Sequence, residues 1–405
     1  MMPASSPPRP PADAAAPADR AGAVVTARRA DLVALSHDIH AEPELAFAEH
    51  RSCAKTQALV AERGFAITPA PGGLDTAFRA DYGSGDLVVA VCAEYDALPD
   101  IGHACGHNII AAAAVGAALA LADVADELGL TVVLMGTPAE EAGGGKVLLL
   151  NAGAFDDAAA CVMIHPGPVD IAAARSLALS EVSVEYTGRE AHAAVAPHLG
   201  LNAGDAVTVA QVAVGVLRQQ FAPGQQAHGI VTTGGQASNI IPGRAEMRYT
   251  MRAGDRESLR ALEDRMANCF RAGAVATGCR CEIAEASPPY EELRPDPWLA
   301  EVFREEMQRY GRRPVPEALE AALPLGSTDM GNVTQMMPGI HPVVGIDAGG
   351  ASIHQPAFAA AAVGPSGDDA VIEGANMLAR TVIRLATTPV ERDRVLAAQA
   401  RRRAS

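Results

Sequence analysis

Gly102-His103-Ala104-Cys105-Gly106-His107-Asn108 is the stretch on which the interpretation of this sequence depends. Its cysteine and second histidine lie two residues apart on a turn that contains glycine, so a thiolate and an imidazole can point at the same place. Further along the chain, Gly136-Thr137-Pro138-Ala139-Glu140-Glu141 offers one carboxylate to hold a metal ion and another to move a proton. Together the two stretches favour a hydrolytic metal site.

Apolar runs typical of buried parallel strands alternate with helical patterns through the first half of the chain. The strand-like runs occupy residues 86–92, 131–135 and 160–164, and helical periodicity covers residues 31–40 and 109–128. Strands that are buried on both faces form near-continuous apolar runs of this kind. The alternation predicts an α/β fold, namely a three-layer catalytic domain with a mixed, mainly parallel sheet.

Residues that can bind metal ions follow the ends of these strand-like runs. They are Glu94 and Asp96 after the first run, Glu140 and Glu141 after the second, His165 after the third, and His354 in a short loop after a fourth run at 342–346. The carboxyl ends of parallel strands form the ligand crevice of open α/β sheets. We therefore expect these side chains to gather at one edge of the sheet.

The arrangement predicts five metal ligands, namely Cys105, His107, Glu141, His165 and His354. Taken singly, each has a plainer explanation as a buried cysteine, a helix-capping or surface histidine, or an acidic loop residue. Their common edge favours ligation, and zinc or manganese accepts such a mixture of thiolate, imidazole and carboxylate, with cobalt a further option. Five ligands exceed the needs of one tetrahedral ion, so we expect two divalent metal ions that share a bridging water.

Two further carboxylates complete the predicted chemistry. Glu140 is the candidate general base, which takes a proton from metal-activated water and passes it to the leaving amine. Asp96 is the candidate partner that orients a ligand histidine, although a surface aspartate would also fit its position. Cys105 as a covalent nucleophile is the competing interpretation, but a Cys-His hydrolase has no use for further histidines and a glutamate at the same edge.

The middle of the chain has a different pattern from the rest. Strand-like runs at 177–186, 229–233, 245–252 and 280–286, with helical stretches at 203–219 and 256–272, give the order βαββαβ. This order is that of the ferredoxin-like motif. We therefore expect an inserted domain over 177–292, a catalytic metal-binding domain over 23–176 and 293–405, and a disordered leader rich in Pro and Ala over 1–22.

Composition narrows the surroundings and the partners of the chain. Its 405 residues carry a net charge of −16, which argues against nucleic acid or an anionic membrane surface as a partner. The apolar stretch at 109–124 is short and rich in Ala and Gly, so we expect a buried helix there and not a membrane span. Seven widely spaced cysteines and a first segment unlike a secretion signal favour reduced thiols in the cytoplasm.

Short motifs spread over most of the chain resemble those of one known family. In order they are Ile39-His40-Ala41-Glu42-Pro43-Glu44-Leu45, Glu94-Tyr95-Asp96-Ala97-Leu98-Pro99, His103-Ala104-Cys105-Gly106-His107, Thr137-Pro138-Ala139-Glu140-Glu141, Ala191-His192-Ala193, Ser238-Asn239-Ile240-Ile241-Pro242 and Ile353-His354-Gln355-Pro356. The chain resembles the dinuclear metallopeptidase family that includes aminoacylases, hippurate hydrolases and auxin-conjugate amidohydrolases. The resemblance runs from about residue 31 to about residue 384, and the combined motifs are specific.

The resemblance implies metal ligation by the five residues named above, with Glu140 as general base. It implies that His192 stabilises the developing oxyanion, reaching from the inserted domain of a partner subunit. Asn239 and Arg252 would hold the α-carboxylate of the substrate. The inserted domain would serve as the lid and as the dimerisation domain of a homodimer. Without the resemblance, a structural role is the more common one for a histidine or asparagine such as His192 or Asn239.

The string at 93–108, with Asn108 where many relatives have Asp, resembles the dipeptidase branch that cleaves β-alanyl-lysine and Xaa-Arg dipeptides. The resemblance implies a small substrate, a dipeptide or N-acyl amino acid with a free α-carboxylate, whose amide bond is hydrolysed. Aminobenzoyl-glutamate and hippurate-type N-aroyl amino acids are the alternative substrates. A catalytically silent scaffold protein would keep the same fold, but every proposed catalytic residue is present.

Overall fold

A six-stranded sheet organises the first of the two units into which the chain divides. The computed structural model describes residues 15–320, 323 and 326–404. The first unit comprises Met1–Arg175, Leu293–Leu325 and Asn332–Ser405, and the second comprises Ser176–Glu292 and Gly326–Gly331. One continuous middle stretch and one short later segment therefore make up the second unit.

The described residues form twelve strands and fourteen α-helices. The strands are β1 (Ala66–Pro69), β2 (Phe78–Gly83), β3 (Leu87–Ala93), β4 (Leu130–Gly136), β5 (Ala160–Val162), β6 (His165–Gly167), β7 (Ala178–Thr187), β8 (Gln226–Thr233), β9 (Arg244–Ala253), β10 (Arg280–Tyr290), β11 (Gly339–Ile340) and β12 (Val343–Gly345). The helices are α1 (Ala15–Ala27), α2 (Arg29–Ala41), α3 (His50–Arg63), α4 (His107–Ala122), α5 (Ala125–Leu128), α6 (Gly145–Asn151), α7 (Ala203–Leu217), α8 (Arg256–Thr277), α9 (Pro297–Arg309), α10 (Glu317–Glu320), α11 (Met330–Met336), α12 (Pro356–Ala361), α13 (Pro365–Thr387) and α14 (Pro389–Ala404).

The main sheet has the strand order β1-β2-β4-β3-β5-β11. β3 runs parallel to β4 and to β5, and β11 runs parallel to β5, whereas β1 pairs antiparallel with β2 and β2 antiparallel with β4. The expectation of an α/β fold with a mixed, mainly parallel sheet is confirmed. Its consequence is that β3, β4 and β5 all end at the same edge.

Helix α4 is buried along its whole length, from His107 to Ala122. Its small Ala and Gly side chains allow close packing with β3, β4 and α13. At Gly116, an added methyl group would lie only 2.8 Å from Ala375 Cβ and 2.9 Å from Leu32 Cδ1. The expected buried helix is therefore present, and among the described residues no helix has the length and apolar character needed to cross a membrane.

The second unit contains a four-stranded antiparallel sheet with the order β10-β7-β9-β8. Along the chain its main elements follow the order β7, α7, β8, β9, α8 and β10. Burial alternates along β7 and β9, as expected for strands with one face in a core. The buried side chains, which include Tyr186, Met247 and Phe270, form an apolar cluster of their own.

The N-terminal leader differs from the expectation over 1–22. Helix α1 begins at Ala15, so the prediction of disorder is wrong for residues 15–22, and residues 1–14 lie outside the described residues. The helix forms because Ala18, Ala21 and Val25 recur at helical spacing and are buried. These side chains face a helix surface to which α4 and α13 both contribute.

The fourth apolar run, at 342–346, does not extend the main sheet as a regular strand. The edge strand of that sheet is β11, and β12 pairs with β6 in a separate two-stranded parallel sheet. The regular pairing is interrupted at His341 and Pro342, where the proline has no N–H to donate to a ladder. The carbonyl of Pro342 instead accepts a hydrogen bond from the His165 N–H at 2.9 Å.

Candidate active site

The side chains expected at one edge of the sheet are positioned by β3, β4 and β5. Glu94 and Asp96 follow β3, and the turn after β4 carries Glu140 and Glu141. His165 comes shortly after β5, at the start of β6. Because these strands are parallel, their ends place the five side chains in one region of the first unit.

Gly106 allows Cys105 and His107 to face the same point. Its φ of 82° lies in the left-handed region that favours glycine. A Cβ at this position would lie 2.5 Å from Pro166 Cγ, so a side chain here would force the turn away from β6. The residue after Gly106 is the first of α4, and His107 therefore enters the site from the beginning of a rigid, buried helix.

Cys105 belongs to two groups of potential metal ligands. The ligand atoms of Cys105, His107 and His165 lie within 4.8 Å of one another, and so do those of Cys105, Glu141 and His354. Cys105 Sγ lies 3.3 Å from His165 Nε2, and His354 Nε2 lies 3.4 Å from Glu141 Oε1. The structure thus brings the five predicted ligands together, in an arrangement that suits two adjacent ions with a shared thiolate.

The buried Asp96 carboxylate connects both groups. Its Oδ1 lies 2.9 Å from His107 Nδ1, which donates a hydrogen bond to it, and its Oδ2 accepts a hydrogen bond from the Glu141 N–H at 2.9 Å. With Nδ1 engaged in this way, His107 directs Nε2 at the ligand groups. The sequence suggested that Asp96 orients a histidine, and the geometry identifies His107 as the one it contacts.

His354 reaches the cluster from a loop. Its backbone has a φ of 65°, which is uncommon outside glycine. The His354 N–H donates to the carbonyl of Ala104 at 2.9 Å, so the loop is tied to the turn that carries Cys105. The His354 side chain is 49% exposed, which makes it the most accessible of the five predicted ligands.

The protonation of these groups is coupled through their charges. Burial raises the pKa of the Cys105 thiol well above its usual value, and the Glu141 carboxylate adds to this effect. Burial and then the nearby His107 lower the pKa of His165 to about 4. Burial also opposes a charge on His107, but the Asp96 carboxylate raises its pKa. A divalent cation that binds Cys105 as a thiolate would therefore release a proton.

The donor set fits a divalent cation. His107 Nε2 and Glu141 Oε1 are buried, and neither forms a hydrogen bond within the part of the chain that the structure describes. Buried polar atoms in this state are destabilising unless a ligand satisfies them. Thiolate, imidazole and carboxylate together suit zinc, with manganese and cobalt as further ions of this class.

Glu140 is buried beside these ligands. Its Oε2 lies 3.9 Å from His107 Nε2, and Glu94, His107 and Glu140 form a third group with ligand atoms within 4.8 Å of one another. A carboxylate in this place is close enough to exchange a proton with a group bound among the ligands.

Glu49 supports the Glu-Glu turn, and no sequence motif indicated it. Its side chain is buried next to α3, and Oε1 accepts a hydrogen bond from the Ala139 N–H at 2.8 Å. Ala139 precedes the two glutamates and has a φ of 59°, a conformation that costs an alanine about 1–2 kcal/mol. Glu49 therefore holds a strained backbone that sets the direction of Glu140 and Glu141.

Lys146 and His341 are two further buried residues that the sequence did not connect with this site. Lys146 lies at the start of α6 and donates a hydrogen bond to Glu94 Oε1 at 2.5 Å. His341 follows β11, and its ring centroid lies 5.4 Å from that of His165. Burial, and then the proximity of His165, lower the pKa of His341 to about 3, so its ring is neutral.

His192 and Asn239 lie in the second unit, where their chain segments pair with each other. The Ala193 N–H donates to the carbonyl of Asn239 at 2.9 Å. His192 is exposed, and its Nδ1 accepts the N–H groups of Ala194 and Val195 at 3.3 and 3.2 Å. The structure thus brings these two predicted residues together on the second unit.

Arg252, near the end of β9, also lies in the second unit. Its Nη1 donates to Ser327 Oγ at 2.7 Å, and burial lowers its pKa from the usual value. Among the described residues it has no carboxylate partner. The roles of all ten predicted site residues remain predictions at this point.

Comparison with known proteins is consistent with this geometry. The sequence model of the family described as peptidase family M20/M25/M40 matches residues 90–384. Xaa-Arg dipeptidase of Mus musculus is 41% identical over 334 residues, which cover 78% of this chain and 77% of the mouse protein. One of the p-aminobenzoyl-glutamate hydrolase subunits of Escherichia coli is 31% identical over 279 residues, which cover 63% of this chain and 58% of that one.

Among solved structures, a Bacillus subtilis protein described as a dinuclear metal binding peptidase of the M20 family has a similar fold. The TM-score is 0.67 at 23% sequence identity, and the match covers 90% of this chain and 99% of that one. The fold and the relatives define this protein as a hydrolytic enzyme. More particularly, the chain belongs to peptidase family M20/M25/M40.

The contact between Glu49 and Ala139 is testable by its effect on stability. We expect Glu49→Ala to lower the free energy of unfolding by about 1–3 kcal/mol, because the buried Ala139 N–H loses its acceptor. Glu49→Gln keeps an acceptor oxygen and should lose less. Urea unfolding measures both variants. Adding Ala139→Gly to Glu49→Ala should restore about 1 kcal/mol by relieving the positive φ, and unchanged stability of Glu49→Ala would refute the contact.

Proposed function

We propose that this protein is a two-metal amide hydrolase that cleaves dipeptides or N-acyl amino acids with a free α-carboxylate, and that basic dipeptides of the Xaa-Arg and β-alanyl-lysine type are its substrates. The observation that carries the proposal is the pair of ligand groups that share Cys105. The 41% identity to mouse Xaa-Arg dipeptidase over most of both chains supports the substrate class.

The proposed metal ligands divide into two sets. Cys105, His107 and His165 would hold one ion, and Cys105, Glu141 and His354 would hold the other. When bound, two divalent cations lower the pKa of a water molecule and polarise an amide carbonyl. Zinc or manganese suits these donors, and cobalt can take the place of either ion.

Glu140 is the proposed general base. Its buried carboxylate lies 3.9 Å from His107 Nε2, where it can accept the proton of the attacking water and deliver it to the leaving amine. Asp96 assists by fixing the His107 ring through Nδ1, so that the ligand nitrogen keeps its direction during turnover.

His192 is the proposed donor to the oxyanion. Because its Nδ1 accepts two backbone N–H groups, the proton of the neutral ring belongs on Nε2, which becomes the hydrogen-bond donor. We propose that this donor acts in the active site of the partner subunit, where it would stabilise the charge that develops on the carbonyl oxygen.

Arg252 and Asn239 are the proposed partners of the substrate carboxylate. A partly buried guanidinium without a carboxylate partner among the described residues can form charge-assisted hydrogen bonds to a carboxylate. Asn239 is exposed and adds an amide donor. This pair would explain a requirement for a free α-carboxylate.

The second unit is proposed to be a ferredoxin-like lid and the dimerisation domain, inserted into a three-layer catalytic domain. Its edge strand β8 exposes Ile230 to 65% and Val231 to 42%, and α7 exposes Val212 and Val216 to 61% and 69%. Apolar side chains on an unpaired strand edge favour pairing with a second strand. The occupant that we propose is the same surface of a second copy, which makes a homodimer.

A second candidate is the hydrolysis of aminobenzoyl-glutamate, or of hippurate-type N-aroyl amino acids. The observation in its favour is the 31% identity to the Escherichia coli hydrolase. This second function would use the same metal-dependent hydrolysis of an amide bond, but the site would accept a different substrate side chain. A cytoplasmic location is proposed as well, since Cys105 must stay reduced to act as a thiolate ligand.

The function is tested by amine release from four amides, with metal-loaded and chelator-treated protein side by side. The substrates are β-alanyl-lysine, an Xaa-Arg dipeptide, hippurate and aminobenzoyl-glutamate. We expect chelator-sensitive cleavage of the two basic dipeptides. Cleavage of hippurate or aminobenzoyl-glutamate alone would favour the second candidate, and cleavage that survives metal removal would overturn the two-metal mechanism.

The two adjacent glutamates should separate catalysis from metal binding. We expect Glu140→Gln to lower kcat by roughly 10²–10⁴-fold, because the amide cannot accept the proton, while both metal ions stay bound. Glu141→Gln should lose metal, because it removes a proposed ligand. Steady-state kinetics and metal analysis measure the two effects, and full activity of Glu140→Gln would remove it as general base.

Arg252 can be tested with paired substrates. We expect Arg252→Met to lower kcat/KM for a free dipeptide by roughly 10–100-fold, since a charge-assisted hydrogen bond is worth about 1.5–3 kcal/mol. For the same dipeptide with an amidated C-terminus, wild type and variant should be equal. An equal loss on both substrates would show that Arg252 does not contact the carboxylate.

The homodimer is tested by light scattering of two surface variants. We expect Ile230→Asp to give a monomer of reduced activity, because a charge on β8 opposes strand pairing and removes His192 of the partner subunit. The control is Val275→Asp, which changes an 84% exposed valine on α8 and should stay dimeric. A dimer for Ile230→Asp, or a monomeric wild type, would contradict the proposed surface.

A further inference from the structure

A buried ion pair lies against the proposed metal ligands and has no part in the mechanism described above. It consists of Glu94, directly after β3, and Lys146, at the start of α6. Both side chains are fully buried. A buried ion pair is weak as a source of stability, since the cost of removing two charges from water offsets their attraction. Such a pair beside a catalytic centre calls for a functional explanation.

The two oxygens of Glu94 have different surroundings. Oε1 accepts a hydrogen bond from Lys146 Nζ at 2.5 Å. Oε2 lies 3.4 Å from His107 Nε2, and neither of these two atoms forms a hydrogen bond with a described residue. Lys146 therefore fixes one oxygen, and the other is directed at the ligand nitrogen of His107.

The contact between Glu94 Oε2 and His107 Nε2 has the geometry of two donor atoms that face one bound cation. The Nδ1–H of His107 already donates to Asp96, so Nε2 is the ring atom that faces Glu94. A histidine that binds a metal ion gives up the proton on the ligand nitrogen, and a cation could then be held between this lone pair and the carboxylate oxygen 3.4 Å away. The same atoms belong to a group of ligand atoms within 4.8 Å that includes Glu94, His107 and Glu140.

The carboxylate of Glu94 is paired with the ammonium of Lys146, and both groups are fully buried. Because Lys146 balances its charge, a ligand at this position would add a donor oxygen without adding net negative charge to the site.

We propose that Glu94 is a further ligand of the metal ion held by Cys105, His107 and His165, and that Lys146 holds its carboxylate in place. The proposal rests on the metal site proposed above. It makes the two ions unequal. With Glu94 this ion would have four protein ligands, as closed zinc sites do, whereas Cys105, Glu141 and His354 would give the other ion three and leave it an open position. Water and the substrate carbonyl would therefore be activated at the ion held by Cys105, Glu141 and His354.

The test is a titration of the metal-free protein with cobalt(II), in which calorimetry and absorption spectroscopy detect binding. In wild type we expect two equivalents and a charge-transfer band from the Cys105 thiolate. Glu94→Gln should weaken one of the two equivalents by roughly 100-fold or more, since loss of a group that merely supports a ligand already costs 10–100-fold. The other equivalent and the thiolate band should persist.

A matched control separates ligation from the loss of a buried acid. Glu306 is also a buried glutamate paired with cations, through Arg380 Nε at 2.8 Å and Arg309 Nε at 3.0 Å, and it belongs to none of the ligand groups. We expect Glu306→Gln to bind both equivalents as wild type does. Equal weakening in the two variants would overturn the proposal, because it would trace the effect to general destabilisation.

A double variant separates ligation from a purely electrostatic role. If Glu94 serves only to neutralise Lys146, removing both charges in Glu94→Gln/Lys146→Met restores wild-type cobalt affinity, and the proposal fails. If Glu94 is a ligand, the double variant binds the affected ion as weakly as Glu94→Gln does. If Glu94→Gln does not fold, Glu94→Asp serves instead, because the shorter side chain keeps the charge but moves the carboxylate oxygen away from the metal position. Wild-type cobalt affinity in Glu94→Asp would refute ligation.

The outcome also distinguishes this proposal from the proposed function. A wild type that binds no cobalt would remove the metal site itself, and with it both proposals. Two wild-type equivalents with an unchanged Glu94→Gln titration would leave the two-metal hydrolase intact and exclude Glu94 as a ligand.

Discussion

The pair of hydrogen bonds to Asp96 is the constraint on which the candidate active site depends. One oxygen of this carboxylate accepts a hydrogen bond from the His107 ring at the start of α4. The other accepts a hydrogen bond from the backbone N–H of Glu141 after β4. Because a buried carboxylate is costly unless it is hydrogen-bonded, the end of β3, the beginning of α4 and the Glu-Glu turn hold one relative position. Two potential metal ligands are thereby oriented by a single group.

The first unit concentrates charge in an apolar interior. Glu94, Asp96, His107 and Lys146 are all buried, next to strands and a helix made almost wholly of Ala, Val, Leu and Ile. Breaking a buried pair by removing one partner costs about 3–5 kcal/mol. These groups are held by mutual contacts, and the positive φ of Ala139 is held by Glu49. Each of these buried groups therefore depends on its partner to stay in place.

Chemistry and substrate recognition are divided between the two units in the proposed function. The metal ligands and the general base come from the first unit, and His192, Asn239 and Arg252 come from the second, which has its own apolar core. The family model matches residues 90–384, a range that contains all five candidate metal ligands. The relatives include both an Xaa-Arg dipeptidase and a p-aminobenzoyl-glutamate hydrolase subunit, so membership of the family does not by itself fix the substrate side chain.

By itself, the sequence determined the parallel strands β3, β4 and β5 and the residues that follow them, because apolar runs and strand ends are local properties of a chain. It also indicated the Cys-Gly-His turn, since glycine marks a backbone that other residues avoid. Only the tertiary structure decided that Asp96 contacts His107, that Glu49 reaches Ala139 across 90 residues, and that Lys146 pairs with Glu94 across 52. The interruption between β11 and β12 and the early start of α1 were decided in the same way. Contacts of this kind are set by packing and register between distant segments, and no local period encodes them.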